Sequence, residues 1–207
     1  FEEGALLEPL SVGLHAVRRG RIRPEDRVLV LGLGPIGLLA IEAAKLSGAS
    51  QVYGSDVVEF RRDLASRIGA AGVINPLSDD VPERLRELTG GEGVDLIIET
   101  SGNAVAIGSS IGYVNRGGRI VFVGLPTKDA IPVDIGALVD AELDVYGVFR
   151  YANTYPAAIR LLQSSSSRIR DIITHEFPLD RIQEAVELAR TQKDTSVKVM
   201  IYPGRTS

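Results

Sequence analysis

Gly32-Leu33-Gly34-Pro35-Ile36-Gly37 has the spacing G-x-G-x-x-G, and its setting constrains the fold more than any other feature of the chain. The aliphatic run Val28-Leu29-Val30-Leu31 precedes it directly and reads as a strand buried on both faces. Residues 36–47 follow it, apolar almost all round, and stop at Gly48 as a helix does. Strand, glycine turn and helix in direct succession is the context in which this spacing cradles a pyrophosphate. Gly32 permits the tight turn, Gly34 lets the backbone approach the phosphates, and Gly37 lets the helix pack close on the sheet. Pro35 suits a first helical turn, where its missing N–H would have had no partner. The helix N-terminus offers free N–H groups and the positive end of its dipole.

The rest of the chain repeats the alternation. Residues 51–55, 72–74, 94–99, 119–123 and 144–148 have strand character; residues 59–68, 81–88 and 104–114 have helical period. Such alternation requires crossover connections, which predicts an α/β fold with a parallel sheet covered on both faces. Before it, Leu6, Leu10, Leu14 and Val17 mark an amphipathic helix ending near Gly20, with Pro9 near its start or at a break. After Tyr151 the rhythm changes. A helix over 156–163, the serine tract 164–167 read as a solvated turn, a segment 172–177, a helix over 180–191 and a strand over 197–202 complete the chain. Asp180 and Gln183 have N-cap and N3 spacing, with Ile182, Val186 and Ala189 on one face. A domain boundary is placed near residue 150.

Composition excludes several functions. The 207 residues include no cysteine and two histidines, which removes disulfides, thiolate metal sites and a cysteine nucleophile. A net charge of −4 argues against a nucleic-acid partner. No apolar run has membrane-spanning length and no signal peptide opens the chain, which together suggest a cytoplasmic protein. The first residue, Phe1, suggests a chain cut from something longer.

Asp56 ends the second strand nineteen residues beyond Gly37, where a carboxylate accepts hydrogen bonds from the adenosine ribose and disfavours a 2′-phosphate. This predicts NAD in preference to NADP. Asp56 also stands where a carboxylate caps the next helix, and the two roles are compatible. Arg61 either covers the adenosine side or is a solvated helix-face charge. Glu99-Thr100-Ser101-Gly102 and Val123-Gly124-Leu125-Pro126 fall at the C-terminal ends of two further strands, the edge where such sheets bind ligands. Ser101 and Gly124 offer backbone contacts to the nicotinamide half there, or are ordinary strand-to-loop residues.

The stretch Glu2 to Gly13, the loop Gly32 to Gly37, Gly147-Val148-Phe149-Arg150-Tyr151-Ala152-Asn153-Thr154-Tyr155-Pro156 and Thr174-His175-Glu176-Phe177-Pro178-Leu179 resemble sorbitol (polyol) dehydrogenases. These belong to the zinc-dependent medium-chain dehydrogenase/reductase superfamily, and the resemblance runs to about residue 201. It implies a Rossmann-type, doubly wound parallel sheet over residues 1–150, and a segment 151–207 that packs on a catalytic domain upstream of this chain. It implies NAD contacts at Ile36, Asp56, Arg61, Val123, Gly124, Leu125, Val148, Phe149 and Arg150. Arg150 and Tyr151 match residues that bind polyol hydroxyls; a guanidinium and a phenol read several hydroxyls in fixed geometry. Glu8 matches the glutamate beside the catalytic zinc, where it holds water or substrate.

The family's zinc ligands, a cysteine, a histidine and a glutamate, lie upstream of this segment, and His15 and His175 form no ligand cluster. The resemblance therefore implies the cofactor half of an NAD-dependent polyol dehydrogenase, a homodimer or homotetramer whose strand 144–148 pairs across subunits. The isolated chain is expected to bind NAD without oxidising polyols, zinc belonging to the full-length enzyme. The alternatives are a stand-alone NAD-binding module, a zinc alcohol dehydrogenase for threonine or another secondary alcohol, a zinc-independent reductase, and a Rossmann-type methyltransferase.

Overall fold

A computed structural model describes residues 1–126, 128, 130–163 and 168–205. An 18-residue helix, α1 (Glu2–Arg19), opens the chain. The alternation follows as β1 (Arg27–Leu31), α2 (Pro35–Leu46), β2 (Gln51–Ser55), α3 (Glu59–Arg67), β3 (Gly72–Ile74), α4 (Val81–Leu88), β4 (Leu96–Glu99), α5 (Ala104–Ser109), β5 (Arg119–Phe122), α6 (Ile135–Asp140) and β6 (Asp144–Gly147). The six strands form one parallel sheet in the order β3-β2-β1-β4-β5-β6. The chain travels outward from β1 to β3, then returns to place β4 on the other side of β1. The strand order reverses there, and a crevice opens beyond the carboxyl ends of β1 and β4.

Successive residues of the central strands feed opposite cores. Val28, Val30, Leu96, Ile98 and Val121 pack with Leu6, Leu10, Leu14 and Val17 of α1 and with Leu38 and Ile41 of α2. Leu29, Leu31, Ile97 and Ile120 pack on the other face with Val81 and Leu85 of α4. Burial on both faces is why these strands are continuous aliphatic runs rather than alternating ones.

One ion pair ties α1 to the sheet. Arg119, at the start of β5, donates to Asp26 Oδ1 at 2.5 Å and to the carbonyls of Gly20 and Arg21 at 2.9 and 2.7 Å. Both charged side chains are about 95% buried, at 5% and 4% exposure. The carbonyls it takes are those left open where α1 ends.

Beyond β6 come α7 (Tyr155–Leu162), β7 (Ile173–Pro178), α8 (Ile182–Thr191) and β8 (Lys198–Tyr202), with 3-10 turns at Ser110–Tyr113, Ile169–Ile172 and Leu179–Arg181. β7 and β8 pair in parallel as a separate two-stranded sheet. The first core continues past residue 150, since Ala158, Ile169 and Ile172 belong to it. The Tyr202 hydroxyl of β8 donates to Glu2 Oε1 at 2.9 Å and to Glu176 Oε1 at 3.1 Å. Among the described residues no helix is long and apolar enough to cross a membrane.

Four details differ from the sequence expectation. Pro9 lies inside α1, seven residues past its first. The packed apolar face against α2 and the sheet outweighs the missing hydrogen bond there. α5 ends at Ser109 and the predicted helix continues only as a 3-10 turn. The short helix α6 has no buried residue and therefore left no apolar period to read; its sequence signal is Asp134, whose Oδ1 accepts from Ala137 N–H at 2.9 Å. α8 begins at Ile182 after a 3-10 turn, with Arg181 rather than Asp180 at its N-cap. Its buried residue is the small Ala185, while Ile182, Val186 and Ala189 are exposed. The serine tract 164–167 lies outside the described residues.

Candidate nucleotide and substrate site

The glycine loop is built by contacts that no larger residue would permit. Gly32 has φ +86°, and a Cβ on Gly37 would stand 1.9 Å from the Gly32 carbonyl oxygen. That carbonyl accepts from the Thr100 hydroxyl at 2.8 Å, which ties the loop to the end of β4. Gly34 is the N-cap of α2, Pro35 follows it, and no side chain caps the helix. A Cβ on Gly34 would meet nothing within 4 Å, so the space above these N–H groups is open. The arrangement fits a pyrophosphate. Gly37→Ala is expected to displace the loop and to lower NAD affinity at least about a hundredfold, measured by calorimetric titration. An alanine variant that binds as tightly as the parent would show that the close approach is not needed.

Asp56 is 7% exposed at the end of β2. Its Oδ2 accepts from Leu33 N–H at 2.7 Å and its Oδ1 from Val58 N–H at 2.8 Å. The carboxylate is thereby fixed against the glycine loop. It does not cap α3, whose N-cap is Val58 without a side-chain bond. Arg61 Nη1 lies 3.7 Å from Asp56 Oδ2, and its Nη2 donates to the Lys193 carbonyl at 2.9 Å. Arg61 Nε is buried and, among the described residues, has no hydrogen-bond partner. Arg61 is thus not simply a solvated charge on a helix face.

Beside these residues lies a cleft of about 430 Å³, whose lining includes Gly32, Asp56, Arg61, Asn103, Val105 and Tyr113. Its position beyond β1, β2 and β4 and its size suit a nucleoside. Asn103, Val105 and Tyr113 escaped the sequence reading. The available signal was Asn103, which follows a strand and caps α5 by accepting from Val105 N–H at 2.8 Å.

On the other side of the crevice, Glu99 organises the loops after β4 and β5. It is fully buried, and burial pushes its carboxyl above the usual carboxylate range against the donors that hold it. Those donors are Ser101 N–H at 2.8 Å, the Ser101 hydroxyl and Gly102 N–H at 3.1 Å. A Cβ on Gly124 would stand 2.1 Å from the Gly102 nitrogen, so the two loops meet backbone to backbone. Ser101, Val123, Gly124 and Leu125 are brought together there. Val148 is buried in the core at 8% exposure, whereas Phe149 and Leu125 are exposed.

Arg150 follows with φ +57°, a left-handed conformation that costs a non-glycine residue on the order of 1–2 kcal/mol. Its guanidinium sits 5.3 Å from the centre of the Phe149 ring. Tyr151 lies against Tyr155, and Glu8, exposed on α1, is within electrostatic range of that Tyr155 phenol. His15 is half-buried on α1, and burial followed by Arg19 and Arg18 holds its imidazole below the usual range. His175 Nδ1 lies 3.1 Å from Thr174 Oγ1.

The sequence model of a family described as zinc-binding dehydrogenase matches residues 35–164, more than half of the chain. The chain belongs to the zinc-binding dehydrogenases. Sorbitol dehydrogenase of Bacillus subtilis is 40% identical over 205 residues, 99% of this chain and 58% of that protein. Human sorbitol dehydrogenase is 40% identical over 204 residues, 97% of this chain and 56% of that protein. Among solved structures, 2R,3R-butanediol dehydrogenase from Bacillus subtilis matches with TM-score 0.89 and 32% identity, over 99% of this chain and 58% of that one. A short chain alcohol dehydrogenase from E. coli CFT073 complexed with NADH matches with TM-score 0.86 and 25% identity, over 94% of this chain and 57% of that one. The chain spans a little over half the length of the curated relatives it matches. For a zinc-binding dehydrogenase, its own residues do not fit the metal. Among the described residues no three of His, Cys, Asp and Glu come together as a metal cluster.

Proposed function

We propose that this zinc-binding dehydrogenase chain forms the NAD-binding part of an enzyme that oxidises a secondary alcohol of a polyol to a ketose, as a sorbitol dehydrogenase does. The Asp56 carboxylate, fixed beside the glycine loop at the mouth of the cleft, carries this reading. NAD, when bound, accepts the hydride released as the carbinol carbon becomes a carbonyl. The N-terminus of α2 holds the pyrophosphate, Asp56 accepts from the ribose hydroxyls, and Arg61 covers the adenosine side. The backbone at Val123–Leu125 and Val148–Phe149 positions the nicotinamide half. Arg150 and Tyr151 hold polyol hydroxyls, and the Glu8 carboxylate accepts a hydrogen bond from the reacting hydroxyl.

In this reading residues 1–150 are the nucleotide-binding unit, and residues 151–207 add a segment that packs on the catalytic part of the longer enzyme. The enzyme is cytoplasmic. It assembles as a homo-oligomer through β6, the strand that ends the six-stranded sheet and exposes Val145. A calorimetric titration of the 207-residue chain tests the cofactor. NAD is expected to bind and NADP to bind at least about tenfold more weakly, a difference near 1.4 kcal/mol. The same chain is expected to oxidise no sorbitol. Tighter binding of NADP, or zinc-dependent sorbitol oxidation by the chain, would overturn the respective part.

A further inference from the structure

The phenol of Tyr155 stands beside that of Tyr151, and the backbone takes unusual conformations to bring it there. Tyr155 is the first residue of α7, and the residues just before it are not helical. Arg150 and Asn153 both lie in the left-handed region, with φ +57° and +53°. Residues other than glycine adopt that region seldom. Arg18 Nη1 of α1 donates to the Asn153 carbonyl at 3.1 Å and secures the second of these turns. The double turn folds two tyrosines four residues apart onto one another. Their ring centres are 5.4 Å apart with a 48° tilt, and their hydroxyl oxygens are 3.4 Å apart.

That separation is longer than the roughly 2.7–2.8 Å of a well-formed O–H···O bond. The bond between the two hydroxyls is therefore long and weak, and each keeps further donor or acceptor capacity to offer. The tilted ring contact brings both hydroxyls side by side. Tyr155 remains 37% exposed, and its hydroxyl faces that of Tyr151. The neighbouring Tyr151 phenol, then burial, then the negative charge of Glu8 hold Tyr155 above the usual phenol range.

We propose that Tyr155 is a second substrate-reading phenol, which binds the polyol hydroxyl adjacent to the one held by Tyr151. The pair makes the site selective for vicinal hydroxyls over a lone secondary alcohol. This rests on the polyol reading above.

The test uses the natural full-length protein and its Tyr155→Phe variant, which keeps the ring contact and removes one hydroxyl. Steady-state kinetics are measured on sorbitol and on 2-butanol. The KM for sorbitol is expected to rise about threefold to tenfold with kcat little changed, the worth of one hydrogen bond to a neutral hydroxyl. The KM for 2-butanol and the affinity for NAD are expected to stay as in the parent. An unchanged sorbitol KM, or an equal rise for both alcohols, would overturn the assignment of Tyr155 alone. A parent enzyme that oxidises 2-butanol and no polyol would overturn the polyol reading, and this inference with it.

Discussion

Arg119→Met is expected to cost about 3–5 kcal/mol of unfolding free energy, because it leaves an unpaired carboxylate in the interior. Asp26 would keep only the Arg23 N–H, which its Oδ2 accepts at 2.6 Å. The carbonyls of Gly20 and Arg21 would lose the same guanidinium. For a domain of this size the midpoint of thermal unfolding should fall by about 6–20 °C. The double variant Arg119→Met with Asp26→Leu should recover much of the loss, since a buried pair replaced as a whole is far less costly than one broken in half. Urea denaturation of both variants measures this. A single variant within about 1 kcal/mol of the parent would show that the pair contributes little to holding α1.

The Asp56→Asn substitution should change what the cleft accepts. An asparagine keeps a side-chain oxygen that can accept from Leu33 N–H, so the glycine loop retains its brace. In the proposed reading it removes the charge that receives the ribose hydroxyls and repels a 2′-phosphate. NAD affinity should fall about tenfold to a hundredfold, in the range of one to two charge-assisted bonds. NADP should lose less or gain, because Arg61 remains beside the site and Arg62 donates to the Asp56 carbonyl at 2.7 Å. Calorimetric titration of both nucleotides against parent and variant gives the ratio. An NAD-to-NADP preference unchanged in the variant would remove Asp56 from the recognition of the ribose, whatever its role in the loop.

The fold was largely legible because its strongest signals are local and apolar. Val28 to Leu31 could only be a buried strand, the glycine loop led from it straight into α2, and α4 fell on the residues its period marks. Where tertiary contacts decide, the chain was harder to read. Pro9 should break a lone helix, yet α1 survives because a buried face pays for the lost bond. The large apolar residues of α8 looked like an inner face, but only Ala185 is buried and Ile182 and Val186 point outward. In the candidate site, the glycines and Asp56 carry a spacing that a sequence displays. The contact of Tyr155 with Tyr151 carries none, because it depends on left-handed turns at Arg150 and Asn153, and although asparagine favours such a turn, arginine does not advertise one.

The bond between Tyr202 and Glu2 spans 200 positions, and those from Arg119 to the end of α1 span nearly 100. A ribosome therefore releases α1 long before most of what secures it has been made. Its early partner is α2, whereas β5, α7 and the turn at Ile169–Ile172 arrive only after most of the sheet. Contacts so distant along the chain slow folding and leave apolar surface open meanwhile. Among the described helices, α1 leaves the ribosome before the others and completes its docking late, and nascent chains should need protection along its Leu6–Leu10–Leu14 stripe until β8 is in place.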